Sequence, residues 1–212
     1  YGKGIADVFD KEAPTLGLEV LGRDGIDGKA TDYKALAEKI KAAGPDLVYY
    51  GGITQNNAGQ LFRDLKDAMP DVKLMAPDGV FESEFLQAAG EAAEGAYITF
   101  GGVPPAELVG AGAEFIKTYT AKYPDAPAEA YTAYGYEAAK VILAAIERAA
   151  ATNPADNDAL RAAVLKEVFA TKDYAGVLGT WSFNAEGDTS LTEMSGNIVT
   201  GGAFVFDSVI KE

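Results

Sequence analysis

The stretch DLVYYGGITQNNAGQLFRDLKDAMPDVKLMAPDG, residues 46–79, contains two apolar runs separated by an amphipathic segment. The first run, 46–52, is apolar on both faces after its first residue, which is typical of a central strand in a parallel sheet. Apolar residues within 58–69 recur at the i, i+3, i+4, i+7 spacing of a helix, and 73–76 predicts a second strand. A strand, a crossover helix and a second strand form the repeating unit of an α/β fold.

The alternation of helix and strand continues on both sides of this stretch. The helix that precedes it has Thr31 or Asp32 as its N-cap and Gly44 as its C-cap. The remaining predicted elements are helices over 3–16 and 83–93 and strands over 16–21 and 96–100. Because these elements alternate repeatedly, the sequence predicts the α/β class, with a parallel sheet covered on both faces.

The pattern changes after residue 102. Three helical segments follow with no strand predicted between them, and two short strands come later in the chain. The helices cover 107–122, 127–150 and 156–170, and the strands cover 179–183 and 202–206. Since amphipathic helices need a partner for their apolar faces, we expect further strands that this chain does not supply. The glycines and prolines of 101–105 predict a hinge at the change.

The composition excludes several classes of function. The 212 residues include neither histidine nor cysteine, which removes disulfides, thiol nucleophiles, Ser-His-Asp triads and His- or Cys-based metal sites. With 18 Lys+Arg against 32 Asp+Glu, the net charge of -14 argues against nucleic acid as a partner. No apolar run approaches the roughly 20 residues of a membrane helix, and the signal of an exported protein would lie upstream of Tyr1.

Two glycine-rich segments, 2–7 and 110–114, have parts of a dinucleotide-binding fingerprint. Neither follows a predicted strand or has the third small residue in place, so no cofactor is predicted. Paired carboxylates can support glycoside hydrolysis, but no spacing marks two acids as partners. The sequence therefore favours a protein that is not an enzyme.

Asp78 is the candidate site residue that the pattern itself provides. It stands between Pro77 and Gly79 directly after a predicted strand. Ligands of parallel sheets bind outside the carboxyl ends of the strands, which places Asp78 and 51–54 at the functional edge. Pro-Asp-Gly is also a common turn sequence, so a purely conformational role is the alternative interpretation. The three tyrosines within 131–136 likewise fit either a core cluster or a site.

Six segments of the chain match a known family in order and approximate spacing. They are YGKGIADVF at 1–9, GPDLVYYGGITQNNAGQLFRDLKDA at 44–68, APDGVFESEF at 76–85, AAEGAYITF at 92–100, AYTAYGYEAAKVILAAI at 130–146 and GTWSFNAEGD at 179–188. Together they resemble the leucine/isoleucine/valine-type substrate-binding proteins of bacterial ABC transporters, which are type I periplasmic binding proteins. The resemblance covers essentially the whole chain, and VYYGG followed by Pro-acid-Gly is its most specific part.

The resemblance implies two Rossmann-like lobes with parallel sheets that close on an amino acid. Residues 1–101 with 194–212 would form the second, C-terminal lobe, and 102–193 would return to the first. The first half of lobe one has no counterpart in this chain, so a missing N-terminal segment or a separate chain is an expected partner.

The implied function is that of an extracytoplasmic protein that captures a branched-chain or other apolar amino acid. It would deliver this amino acid to the membrane permease of an ABC importer and need no cofactor. The implied location is periplasmic or extracellular, and whether the protein is free or lipid-anchored through an N-terminus upstream of Tyr1 stays open.

The resemblance also implies four ligand-binding residues. Asp78 takes the position of the acid, often glutamate in relatives, that pairs with the ligand ammonium group. Tyr1 matches the aromatic residue that covers the ligand, and Tyr131 matches one contributed from the hinge side. Ile53 stands where leucine-binding members carry a tyrosine, which leaves the side-chain specificity open. The same fold also serves as a ligand-sensing domain of regulators and receptors, for amino acids or amides, and that alternative stays open.

Overall fold

The computed structural model describes residues 1–210, which fall into two compact units. The first unit is Tyr1–Gly101 with Met194–Glu212, and the second is Gly102–Glu193. Residues 211 and 212, which the expected second lobe includes, lie outside the described residues. That the two units are the second and first lobes of a receptor stays a prediction.

Helices and strands alternate through the first part of the chain, and helices dominate the second. The helices are α1 (Gly2–Glu12), α2 (Lys34–Ala43), α3 (Ala58–Ala68), α4 (Ser83–Ala89), α5 (Ala111–Lys122), α6 (Thr132–Ala150) and α7 (Asn157–Phe169). The strands are β1 (Leu47–Tyr49), β2 (Lys73–Ala76), β3 (Tyr97–Phe100), β4 (Tyr174–Gly176), β5 (Gly179–Trp181), β6 (Met194–Thr200) and β7 (Ala203–Ile210). The α/β class predicted from the sequence is confirmed.

The first unit contains a five-stranded sheet in the order β1-β2-β3-β6-β7. The first three strands are parallel, whereas β6 pairs antiparallel with β3 and with β7. Since Tyr49 pairs with Met75 at the ends of β1 and β2, the loops that follow these strands leave the sheet side by side. This register places 50–54 next to Pro77 and Asp78.

The strand predicted over 16–21 is wrong. Leu16 closes a 3-10 turn, Gly17 has a left-handed backbone with φ 78°, and the residues after it form no strand. Leu16 and Leu18 are 78% and 55% exposed. The period-2 pattern predicts an extended segment with one apolar face, but it cannot specify a neighbouring strand whose backbone completes the hydrogen bonds.

The prediction that the 46–52 strand is central in its sheet is also wrong for the sheet that the described residues form. The observed strand, β1, is shorter than the predicted one and lies at the edge of the five-stranded sheet. Its side chains are nevertheless covered in part, because the ring of Tyr49 stacks on Phe9 of α1 at 4.4 Å between centroids. An apolar run therefore indicates that helices cover the strand in part and does not show that it has a neighbouring strand on each side.

The second unit has α5, α6 and α7 together with a two-stranded sheet formed by β4 and β5. One face of α6 is buried at i, i+4 spacing: Ala133, Glu137, Val141, Ala145 and Ala149. Other apolar residues of α6 and α7 are 40–59% exposed: Ile142, Leu143, Ile146, Leu165 and Phe169. Exposed apolar area of this kind marks a surface that another element covers or that binds a partner.

Candidate functional site at the carboxyl edge of the parallel strands

Glycines bring the backbone of three segments into close contact at this edge. A β-carbon on Gly79 would lie 2.5 Å from the carbonyl oxygen of Gly52, and one on Gly2 would lie 2.5 Å from that of Gly51. Real β-carbons do not tolerate such distances, so any other residue would push the segments apart. The glycine after Asp78 thus allows the loop after β2 to pack on the loop after β1. The glycine after Tyr1 does the same for the start of α1.

This packing brings Tyr1 to Asp78, two residues that are 77 positions apart in the chain. The hydroxyl of Tyr1 donates a hydrogen bond of 2.6 Å to Oδ1 of Asp78. Asp78 is half-buried and begins a 3-10 turn, Asp78–Val80, in which its carbonyl oxygen accepts from the N–H of Phe81 at 2.9 Å. Burial and, next, the bond to Asp78 raise the pKa of Tyr1, so its phenol is protonated at neutral pH.

Ile53 also lies against Gly79. Its Cγ2 would be 2.8 Å from a β-carbon on Gly79, whereas Cε1 of Tyr1 would be 3.1 Å away. The backbone at this point is fixed because the hydroxyl of Tyr50 donates to the carbonyl oxygen of Ile53 at 3.0 Å. The structure therefore gathers Tyr1, Ile53 and Asp78 around Gly79, and their role with a ligand stays a prediction.

Tyr49 also belongs to this group, and sequence reasoning missed it. Burial and the charge of Asp78 raise the pKa of Tyr49 to about 12. A signal was present, since Tyr49 is the last residue of β1 and β1 is parallel to the strand that ends before Asp78. Its position within an apolar run made it look like an ordinary core residue.

Tyr131 lies in the second unit. It precedes α6, is 47% exposed, and its ring meets that of Tyr134 edge-on at 6.4 Å between centroids. Tyr134 is half-buried, and this burial raises the pKa of its phenol. Tyr131 thus belongs to an aromatic pair of its own unit, and its part in ligand binding stays a prediction.

The side chains of residues 1–210 give no metal site and no membrane helix. Their acidic side chains form no group of three or more that could hold a metal ion. None of the helices in this part of the chain is long and apolar enough to cross a membrane. The glycine-rich segments 2–7 and 110–114 follow no strand of the described residues and instead lie at the starts of α1 and α5. The chemistry that the edge offers is recognition by a carboxylate and phenols.

Comparison with known proteins places the chain in a family. Residues 1–196 match the family described as periplasmic binding protein. A Leu/Ile/Val-binding protein homolog of Brucella abortus is 33% identical over 191 residues, which is 90% of this chain and 48% of that protein. A leucine-, isoleucine-, valine-, threonine- and alanine-binding protein of Pseudomonas aeruginosa is 35% identical over 155 residues, which is 73% of this chain and 40% of that protein.

A solved structure agrees with these matches. A leucine-binding protein of Thermotoga maritima superposes with a TM-score of 0.84 at 26% identity, over 98% of this chain and 56% of that chain. The chain therefore belongs to the periplasmic binding protein family and has the type I fold of its members. It spans about half the length of the relatives it matches. The resemblance inferred from the sequence is confirmed.

Proposed function

We propose that this chain is part of an extracytoplasmic solute-binding protein that captures an apolar, branched-chain-type amino acid and delivers it to an ABC importer. The observation that carries the proposal is the Asp78 carboxylate, fixed by glycine-mediated backbone packing at the edge where sheets of this class bind ligands. An ammonium group taken out of water needs a charged, hydrogen-bonded partner, and Asp78 supplies one.

The relatives support the ligand class. Proteins that are 33–35% identical to this chain are named for binding leucine, isoleucine and valine. We therefore assign the ligand ammonium group to Asp78 and a covering role to Tyr1. A ligand-binding role for Tyr131 is part of the same proposal, and residues of a longer protein would hold the ligand carboxylate. In this proposal the protein works in the periplasm or outside the cell, beside the membrane permease.

Ile53 determines the proposed breadth of selectivity. An isoleucine next to Gly79 gives an apolar wall without a hydroxyl group. An apolar pocket separates ligands that differ by one methylene by only about 1 to 3 kcal/mol, so several aliphatic amino acids should bind. Dicarboxylic amino acids should bind poorly, because the charge of Asp78 opposes a second carboxylate.

A thermal-shift panel on the full-length protein that carries these residues tests the proposal. A ligand at 100 times its dissociation constant adds about 2.7 kcal/mol to the free energy of unfolding, a shift that is easily measured. Leucine, isoleucine and valine should stabilise the protein most. The matched control is 4-methylpentanoate, which is leucine without its amino group. Stabilisation by 4-methylpentanoate or glutamate that equals or exceeds that by leucine would contradict the proposal.

A further inference from the structure

The bond between Tyr1 and Asp78 is short and joins two distant parts of the chain. Its 2.6 Å between oxygens falls in the range of a hydroxyl that donates to an ionised carboxylate, about 2.5–2.7 Å. Tyr1 is 62% exposed as a whole, so its surroundings bury only part of the side chain and do not by themselves force the hydroxyl onto Asp78. The contact instead follows from the backbone packing that sets Gly2 against Gly51 and Gly79 against Gly52.

We infer that Tyr1 is a positioning residue that fixes the Asp78 carboxylate for the ligand ammonium group, in addition to any cover that its ring provides. This inference rests on the proposed function of Asp78. Immobilising a flexible side chain during binding costs about 0.5–1.5 kcal/mol, a factor of roughly 2 to 13 in affinity. A carboxylate that is already held in the ligand-free protein avoids this cost.

A phenol suits this role better than a cationic partner would. A lysine or arginine beside Asp78 would neutralise the carboxylate and compete with the ammonium group of the ligand. The phenol donates a hydrogen bond and leaves the negative charge in place. Its protonated state is secured, because burial and the bond to Asp78 raise the pKa of Tyr1. A carboxylate has about four acceptor positions, so one bond from Tyr1 is compatible with a ligand ammonium group on the same side chain.

A double-mutant cycle separates positioning from cover. Leucine affinity is measured by calorimetry for the full-length protein, Tyr1→Phe, Asp78→Asn and the double variant. Tyr1→Phe keeps the ring and removes the hydroxyl, and we expect about tenfold weaker binding, which corresponds to about 1.4 kcal/mol. In the Asp78→Asn background the same change should matter less than about twofold, because the charged group that Tyr1 orients is gone. Tyr97→Phe is the matched control, since Tyr97 lies at the amino end of β3.

Several outcomes would overturn the inference. An equal loss from Tyr1→Phe in both backgrounds would mean that the hydroxyl acts independently of Asp78, and no loss in either would leave the ring as the only contribution of Tyr1. The proposed function fails differently: the unaltered protein would then bind no amino acid, or Asp78→Asn would leave leucine affinity unchanged.

A second measurement needs no ligand. The alkaline absorbance titration of Tyr1 is obtained as the difference between the protein and Tyr1→Phe. Asp78→Asn should make this difference signal begin at lower pH, below the range in which the fold is lost, because the carboxylate favours the protonated phenol. An unchanged onset would show that the charge of Asp78 does not act on Tyr1, and the inference would be wrong whatever the ligand is.

Discussion

Glu137 provides a stability prediction that depends on geometry alone. This glutamate of α6 is 2% exposed. Its Oε1 accepts hydrogen bonds from Nε1 of Trp181 at 2.9 Å and from the N–H of Leu178 at 3.3 Å, and its Oε2 accepts from the N–H of Val177 at 3.0 Å. The carboxylate thereby fastens the β4–β5 hairpin to α6.

Replacing Glu137 with glutamine keeps the shape and removes one acceptor. The amide oxygen can still accept two bonds, but the amide nitrogen is a donor and cannot accept the third. A hydrogen bond to a charged group contributes about 1.5–3 kcal/mol and one to a neutral group about 0.5–1.5 kcal/mol. Losing one charged bond and weakening two others should lower the free energy of unfolding by about 3.5 to 6 kcal/mol, a large part of the roughly 5–15 kcal/mol of a typical domain.

Urea unfolding followed by tryptophan fluorescence measures this loss. Trp181 is the single tryptophan of the 212 residues and itself donates to Glu137, so its emission reports on the hairpin. All variants are compared at one protein concentration, since association shifts apparent stability. Glu147→Gln, on an exposed position of the same helix, should stay within about 0.5 kcal/mol of the unaltered chain. If Glu137→Gln also stays within that range, the three bonds do not hold the hairpin.

Three further predictions follow from the packing, the tyrosines and the exposed apolar surface. Gly79→Ala should weaken leucine binding and lower the free energy of unfolding by about 1–3 kcal/mol, because its β-carbon would lie 2.5 Å from a backbone oxygen. The control is Gly4→Ala in α1, whose β-carbon meets nothing within 4 Å and which should be neutral or stabilising. Equal effects of the two changes would contradict the close packing. Burial raises the pKa of Tyr50 to about 12, and burial with the charge of Asp78 raises that of Tyr49 to about 12. Unfolded tyrosines ionise near pH 10, so the stabilisation that comes from these two raised pKa values is complete below that pH and is lost as pH rises toward 12. The free energy of unfolding should therefore fall over this range, and less steeply in Tyr50→Phe. Urea unfolding that shows no such fall would refute this prediction. Made alone, the 212-residue chain should self-associate or bind a hydrophobic dye through the exposed apolar residues of α6. Leu143→Lys should reduce both effects. A chain that is monomeric in ultracentrifugation and binds no dye would contradict this prediction.

The sequence predicts those elements whose ends are chemically marked. The strand over 73–76 is bounded by Pro77, and the helix before residue 44 ends at a glycine with a left-handed backbone, φ 67°. By contrast, β6 escapes prediction, because its buried face consists of Ser195, Asn197 and Val199. Two polar residues on an inward face hide the period-2 pattern that would reveal a strand.

The candidate site is predictable in part. The rule that ligands bind outside the carboxyl ends of parallel strands indicates Asp78 without any structure. The contact between Tyr1 and Asp78 is not accessible to this reasoning, because no local period relates residues 77 positions apart. It depends on how three glycine-containing segments pack. Tyr49 is missed because a tyrosine inside an apolar run has the same appearance whether it is core or site.

Leucine binding by Asp78→Asn in the full-length protein tests the central claim most directly. Asparagine keeps the size of the side chain and an oxygen that accepts the bond from Tyr1, so the charge alone is lost. Leaving a buried ammonium without its charged partner costs about 3 to 5 kcal/mol, so calorimetry should show affinity lower by roughly two to four orders of magnitude. Asp71→Asn, an exposed acid before the other end of β2, carries the same change in net charge and should bind leucine normally. Unchanged affinity in Asp78→Asn would contradict the account and leave Pro-Asp-Gly as a turn.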